Sequence, residues 1–547
     1  MGPFPKGGEP PTLRRRDKEG SAAVAIAHVT QNWTVTKPAA KGRKGMVVSQ
    51  VRTAAEAGVQ MLDAGGSAAD AAVATAFALA AVEPWNSGLG GIGFTVVHPA
   101  GERAARVVDF GPVAPARLDP KLFPLVPGKS DHLFAWPNVQ GDRNVHGPLS
   151  VVIPSSVAGY AEIHRRWGRL PLKEVLAPAI ALAKAGLPAD WVTALKLASA
   201  APDLRRYAES ARIYLPDGLP PAPPYVGPAK RIVLGNLPAT LERLAEAGLD
   251  DFYRGDIAAA IAADMAELGG VLDAADLAGC AARLTDASQH PWRGRVIQGA
   301  GGLTAAPTMQ RVLEALSGER FGAAPDVAFF TAFAAAMQRA YAERLAGLGD
   351  TTEANPRAAE ACTTHLTAAD ADGMMVSMTT TLLSSMGSRM VLPRTGVLMN
   401  NGVFWFDPRP GQANSIGPRK RPLCNMSPIV VARDGRPEIA AGASGGRRIL
   451  AAVLQTLLFV LEFGMDPVKA AHQPRIDVSG ETGVSADPRL APEILAALRQ
   501  RFGAEEVEHT VMPVNYACPN IIMIGEDGGR TGISDVISPW SGAVAQA

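Results

Sequence analysis

The sequence predicts a layered α/β or α+β domain, and two observations predict it. Residues 149 to 347 read mainly as helices punctuated by Pro and Gly, whereas short runs of strand type dominate after residue 362. At 547 residues, 47% hydrophobic and 19% charged, the chain has ample length and apolar content for a large buried core.

The elements follow in order. Residues 1 to 40 are rich in Pro, Gly, Lys and Arg without an apolar period, and read as a flexible arm. Gly45 to Ser49 reads as a strand, and Ala54 to Leu62 as a helix that Gly65-Gly66 stops. Asp70 to Val82 is rich in Ala and apolar nearly all round, the pattern of a buried helix. Glu83-Pro84 ends it, a glycine-rich stretch from Gly88 to Gly93 follows, and Phe94 to His98 is a strand. Leu176 to Ala185 and Ala258 to Leu268 are helices. Later strands are expected at Leu366 to Asp370, Met374 to Thr380, Pro428 to Ala432 and Glu438 to Ala443, and later helices at Ile449 to Phe463 and Pro492 to Phe502.

Composition excludes several classes of function. Lys+Arg 53 against Asp+Glu 52 leaves a net charge of +1, so no global field favours nucleic acid or an anionic membrane. Cys280, Cys362, Cys424 and Cys518 are too few for a disulfide framework and lack metal-ligand spacing, so they are expected as reduced thiols. No metal or organic cofactor is implied. The most apolar stretches, Ala71 to Val82 and Ile449 to Phe463, fall short of a membrane span. The first thirty residues lack a sustained apolar core of the secretory kind, so a cytoplasmic protein is expected.

Three motifs carry possible chemistry. Gly88-x-Gly90-x-x-Gly93 matches a dinucleotide fingerprint by letters, but that fingerprint needs a strand before and a helix after, and here the order is reversed. Close backbone packing is the simpler use of these glycines. Gly442-Ala443-Ser444-Gly445-Gly446 matches a nucleophile elbow, with Asp466 or Asp477 and His472 or His509 as partners for Ser444. The same loop could instead aim two backbone N–H groups at one oxygen, as an oxyanion hole. The third motif is Cys362-Thr363-Thr364-His365, followed by Ser377, Thr379 and Thr381 at alternating positions on one strand face. A threonine nucleophile needs such a hydroxyl neighbour to orient its own.

With these residues the chain resembles the γ-glutamyltranspeptidase family from about residue 44 to 480. The blocks are Leu62 to Val73, Glu83-Pro84, Ser87 to Gly91, Val152-Ile153-Pro154, Gly168 to Pro171, Phe252 to Gly255, Lys420 to Leu423, Met426-Ser427-Pro428, Gly445-Gly446 and Pro474-Arg475. The resemblance implies the four-layer αββα sandwich of the N-terminal-nucleophile hydrolases. It implies cleavage between Cys362 and Thr363, giving a large subunit (41–362, after the arm) and a small one (363–547), held as an αβ heterodimer alone or in a larger oligomer. It makes Thr363 the nucleophile, its freed amine the general base, Thr381 its hydrogen-bond partner, and Gly445 and Gly446 the oxyanion hole. Cys362, with cleavage one residue earlier, is the rival nucleophile.

The substrate end departs from the family pattern. Gly111 stands where the family's carboxylate-binding Arg would be. Leu383 replaces an Asn, Cys424-Asn425 replace paired serines, and Gly402 and Trp405 replace the Gln and Asp that hold an α-amino group. Only Asn400 and Asn401 remain there. A glutamyl carboxylate would lose its bidentate partner, and its ammonium would face apolar groups. Arg419 or Arg447 could substitute. The resemblance therefore implies an amidohydrolase for a small non-γ-glutamyl amide or acylated amine, as in oxamate amidohydrolase and cephalosporin acylases. Its pocket would involve Leu383, Asn401, Trp405, Cys424 and Asn425. The alternatives are a true γ-glutamyltranspeptidase or glutathione hydrolase, a serine hydrolase using Ser444, and an uncleaved binding protein.

Overall fold

The computed structural model describes residues 35–129, 134, 136–347, 361–480, 482–509 and 516–547. Most of the expected arm, residues 1–34, lies outside them.

Two seven-stranded antiparallel sheets form the centre. The first runs, in spatial order, Gly542–Ala545, Met46–Ser49, Ala361–Ala369 (β1), Met375–Ser384 (β2), Ile92–His98, Arg106–Phe110 and Arg283–Asp286. The second runs Ala40–Gly42, Arg530–Ser534, Cys518–Ile524, Arg436–Ser444 (β3), Ile429–Arg433, Arg295–Gly299 and Ser288–Trp292. Both sheets mix strands from before and after residue 362.

Three apolar clusters show how the layers stack. Helices Arg52–Asp63 and Ala68–Val82 (α1) cover the outer face of the first sheet, and Leu172–Ala185 packs on them. Ala306–Leu316 and Ile449–Leu461 (α3) cover the outer face of the second, and Val327–Gly347 (α2) packs on Ala306–Leu316. Between the sheets lie Val48, Phe94, Val96, Val430, Ala440 and Ile522. The result is an αββα sandwich. α1 is buried at every position except Val82, as a sequence apolar nearly all round requires. Ser67 and Asp70 close its N-terminus with a reciprocal capping box.

The segment 149–347 is mainly helical, as expected, but Arg283–Asp286, Ser288–Trp292 and Arg295–Gly299 are strands that the sequence did not mark. Ser288–Trp292 ends its sheet, and there Pro291 is tolerated. The connecting pair Arg293-Gly294 has positive φ at both residues, the geometry of a tight hairpin turn, without the Asn-Gly letters that usually announce one. β1 also starts earlier than expected, at Ala361 rather than Leu366. Thr363, Thr364 and His365 are polar but buried, so hydropathy hides them.

Candidate active site

The ladder between β1 and β2 pairs Cys362 with Leu383 and Thr364 with Thr380, and its register shifts between them. The extra residue is in β2, so Thr363 faces a β-bulge at Thr381-Leu382, a device that re-aims a side chain out of the regular pleat. Its Oγ1 donates to Thr381 Oγ1 at 3.2 Å, and Thr363 is 5% exposed. The Leu383 N–H donates to the same Thr381 oxygen at 2.8 Å, which fixes that hydroxyl. Alternation along β2 is as the sequence indicates: Thr379 contacts His365, and Ser377 bridges to Ala441 and Ile429 of the facing sheet.

β3 ends at Ser444, and the turn Gly446–Arg448 that follows packs against β1. Gly445 has φ 136° and Gly446 φ 60°, conformations that side-chain-bearing residues rarely adopt. A Cβ on Gly445 would lie 2.6 Å from the Ala517 side chain. Among the described residues, neither glycine N–H donates to another part of the backbone. The turn leads into α3, so both amides stand at a helix N-terminus, where developing negative charge is stabilised.

The substrate-side positions separate into two groups. Leu383, Trp405 and Cys424 join Phe404, Phe134 and Trp136 in the apolar cluster between the sheets. Phe134 stacks 5.2 Å from Phe404, and the Arg447 guanidinium lies 5.1 Å over the Phe134 ring. Burial pushes the Cys424 thiol up to about 12, so it remains neutral. Asn425 is half-buried and accepts from Arg344 at 3.3 Å. Asn401, in contrast, is fully buried: its Nδ2 donates to Val145 O and Ser384 Oγ, and its Oδ1 accepts from the Ser384 N–H. The geometry makes it a brace for the loop. Asn400 likewise ties Gly90, Val152 and Gly402 together.

Gly111 has no room for a side chain. A Cβ there would meet the Phe94 ring at 2.4 Å and Arg421 Nη2 at 3.0 Å. At Gly402 a Cβ would lie 2.4 Å from Val152. Arg419 is exposed, whereas Arg447 is buried beside the glycine turn.

The other motifs resolve differently. Ser444 Oγ accepts from Gln50. His472 is held by Val468 O and the Lys37 N–H, His509 by Asp487, and Asp466 caps the helix Pro467–His472. Asp477 pairs with Arg448 and Ser479. Gly90 and Gly93 pack against Leu398 O and Thr379 O, the close approach their sequence position suggests.

Sequence reasoning missed the anchors. From α2, Tyr341 donates to Arg447 O at 2.7 Å, and Arg344 donates to Cys424 O at 2.7 Å. One helix thus holds both the glycine turn and the Cys424-Asn425 segment. Its Tyr and Arg lie in an Ala-rich run, and only their spacing of three residues, which sets them on one face, could have marked them.

The profile for gamma-glutamyltranspeptidase matches residues 54–362 and 350–543. The chain is 31% identical to the acylase ACY 1 proenzyme of Pseudomonas sp. (strain SE83), across 94% of this chain and 95% of that protein. It is 28% identical to the glutathione hydrolase proenzyme of Bacillus subtilis (strain 168), across 85% and 86%. A cephalosporin acylase structure from Bacillus halodurans superposes with a TM-score of 0.81 at 24% identity, covering 95% of this chain and 99% of that one.

Proposed function

Because the chain belongs to the γ-glutamyltranspeptidase family and is a hydrolase of amide bonds, we propose that Thr363 is its nucleophile and an N-acyl amide other than γ-glutamyl its substrate. The observation that carries this reading is the hydroxyl pair Thr363–Thr381 on a bulge, with the Gly445-Gly446 turn packed against the same strand.

In maturation, Thr363 Oγ attacks the Cys362 carbonyl carbon. The Cys362–Thr363 C–N bond breaks, the hydroxyl proton passes to the departing nitrogen, and an ester remains. Water cleaves that ester, leaving a Cys362 carboxylate, a free hydroxyl and a free Thr363 amine. In turnover the amine takes the hydroxyl proton as Oγ attacks the substrate carbonyl. The N–H groups of Gly445 and Gly446 bind the oxyanion, each worth about 3 kcal/mol of transition-state stabilisation. The leaving amine takes the proton, and water releases the acid from the acyl-threonine.

The substrate follows from what the pocket holds. Leu383 and Trp405, each 4% exposed, belong with the fully buried Phe404 to one apolar cluster that suits an acyl chain, and the Arg447 guanidinium lies over the Phe134 ring of that cluster. Gly111 leaves no space for the guanidinium that a glutamyl carboxylate would need. The acylase relative fits this pocket better than the glutathione hydrolase relatives do.

A denaturing gel with N-terminal sequencing tests the reading. Wild type should give two fragments, the smaller beginning at Thr363, and Thr363→Ala one uncut, inactive chain. Normal cutting and turnover in Thr363→Ala would remove Thr363 from the role. A panel of matched acyl and γ-glutamyl anilides should show the acyl compounds turned over faster; efficient γ-glutamyl transfer would reverse the substrate assignment.

A further inference from the structure

The loop leaving α1 reaches the residue that follows Thr363. Glu83, fully buried, accepts a hydrogen bond at Oε1 from Asn86 Nδ2 at 2.7 Å and at Oε2 from the Thr364 hydroxyl. Ser87 Oγ donates to Thr364 Oγ1 at 3.0 Å. The carbonyl of Asn86 accepts the Leu382 N–H at 2.9 Å. One short loop therefore grips β1 at Thr364, where the regular ladder resumes, and β2 at Leu382, inside the bulge.

We propose that Glu83 is a positioning residue for the reaction: through Thr364 it holds the newly cut terminus in register with Thr381. The proposal rests on the reading of Thr363 as nucleophile. Once the bond to Cys362 is gone, Thr363 ends a chain, and chain ends fray unless tied down. The regular ladder resumes only at Thr364, so the hydroxyl clamp on that residue replaces the lost covalent tether.

The chemistry of the clamp makes it sensitive to protonation. An ionised Glu83 offers two acceptors to two donors, the Asn86 amide and the Thr364 hydroxyl. A proton on Glu83 turns one acceptor into a donor, so the Thr364 hydroxyl must reverse its bond, and the charge-assisted grip weakens. The groups facing the carboxylate are Thr364, Ser87, Asn86, Trp540 and the buried Lys196 of the helix Trp191–Leu204, whose charge favours ionisation. Burial nevertheless raises Glu83 to about 7. A carboxylate at a helix C-terminus, in an apolar layer, is a costly choice for packing alone.

The test uses full-length, matured protein carrying Glu83→Gln, Thr364→Val or Thr364→Ser. Glu83→Gln and Thr364→Val should lower kcat about ten- to a hundred-fold with KM little changed, the effect of a displaced nucleophile. Thr364→Ser, which keeps the hydroxyl, should restore kcat. In wild type, log kcat on the acid side should approach a slope of two, one proton each for the amine and Glu83; in Glu83→Gln the slope should be one. Wild-type kcat and slope in both Glu83→Gln and Thr364→Val would overturn the proposal. Should Glu83→Gln fail to fold, the Val and Ser variants at Thr364 decide alone. A dead Thr363→Ala beside fully active Glu83 and Thr364 variants sinks only the clamp, whereas an active Thr363→Ala sinks the underlying reading.

Discussion

Leu383 adopts φ 84°, a left-handed conformation that costs a branched, non-glycine residue about 1 kcal/mol or more. That turn directs its N–H back to Thr381, so the strain serves the site. Asparagine tolerates this backbone better, yet Leu383 is buried among aromatic rings, and that burial is worth about 2 kcal/mol. Burial wins: Leu383→Asn should lower stability by about 1 kcal/mol, read as a drop in Tm, even though the backbone relaxes. Gly111→Arg should not recreate a glutamyl site, because Phe94 and Arg421 fill the space. It should instead destabilise the fold by about 1–3 kcal/mol, and γ-glutamyl anilide turnover should stay flat. His365 carries a pH signature. Burial holds its imidazole down to about 3, and its Nε2 has no partner among the described residues. The unfolded chain therefore binds a proton that the fold refuses, so stability should fall as pH drops from about 6.5 towards 3. Denaturant melts of His365→Gln across that window should show a shallower loss than wild type.

At the scale of elements, the candidate site is made by one bulge in β2, opposite Thr363, and one glycine turn after β3. Gly445→Ala combines a strained φ with a clash against Ala517. It should reduce kcat by about a hundred- to a thousand-fold if the amide it displaces binds the oxyanion. A kcat near wild type would move the oxyanion hole elsewhere. The glycine at 442 has a different part: a Cβ there would lie 2.2 Å from the His365 ring, so it admits that ring between the sheets. The alternation Ser377-Thr379-Thr381 was legible because a strand's period is two, and the glycine pair because its letters demand special backbone. The bulge was not legible, since no local sequence rule distinguishes Thr381-Leu382 in a bulge from the same residues in a ladder. The hairpin at Arg293-Gly294 escaped for a similar reason. The anchors Tyr341 and Arg344 escaped because they act on backbone carbonyls about a hundred residues away.

At the scale of the whole molecule, strands from both sides of residue 362 interleave in both sheets. The layered class was visible in the order of helices and strands, but the pairing that knits the sheets depends on contacts remote in sequence. Cutting at Cys362–Thr363 leaves these pairings intact, so the two fragments should elute as one species under native conditions and separate only in denaturant. Spontaneous separation in buffer would contradict the shared sheets. The most direct measurement of the central claim is mass spectrometry of matured protein treated with an electrophilic acyl probe. The account predicts one covalent adduct, on the peptide that begins at Thr363; an adduct on Ser444 or on a cysteine, with the Thr363 peptide unmodified, would contradict it.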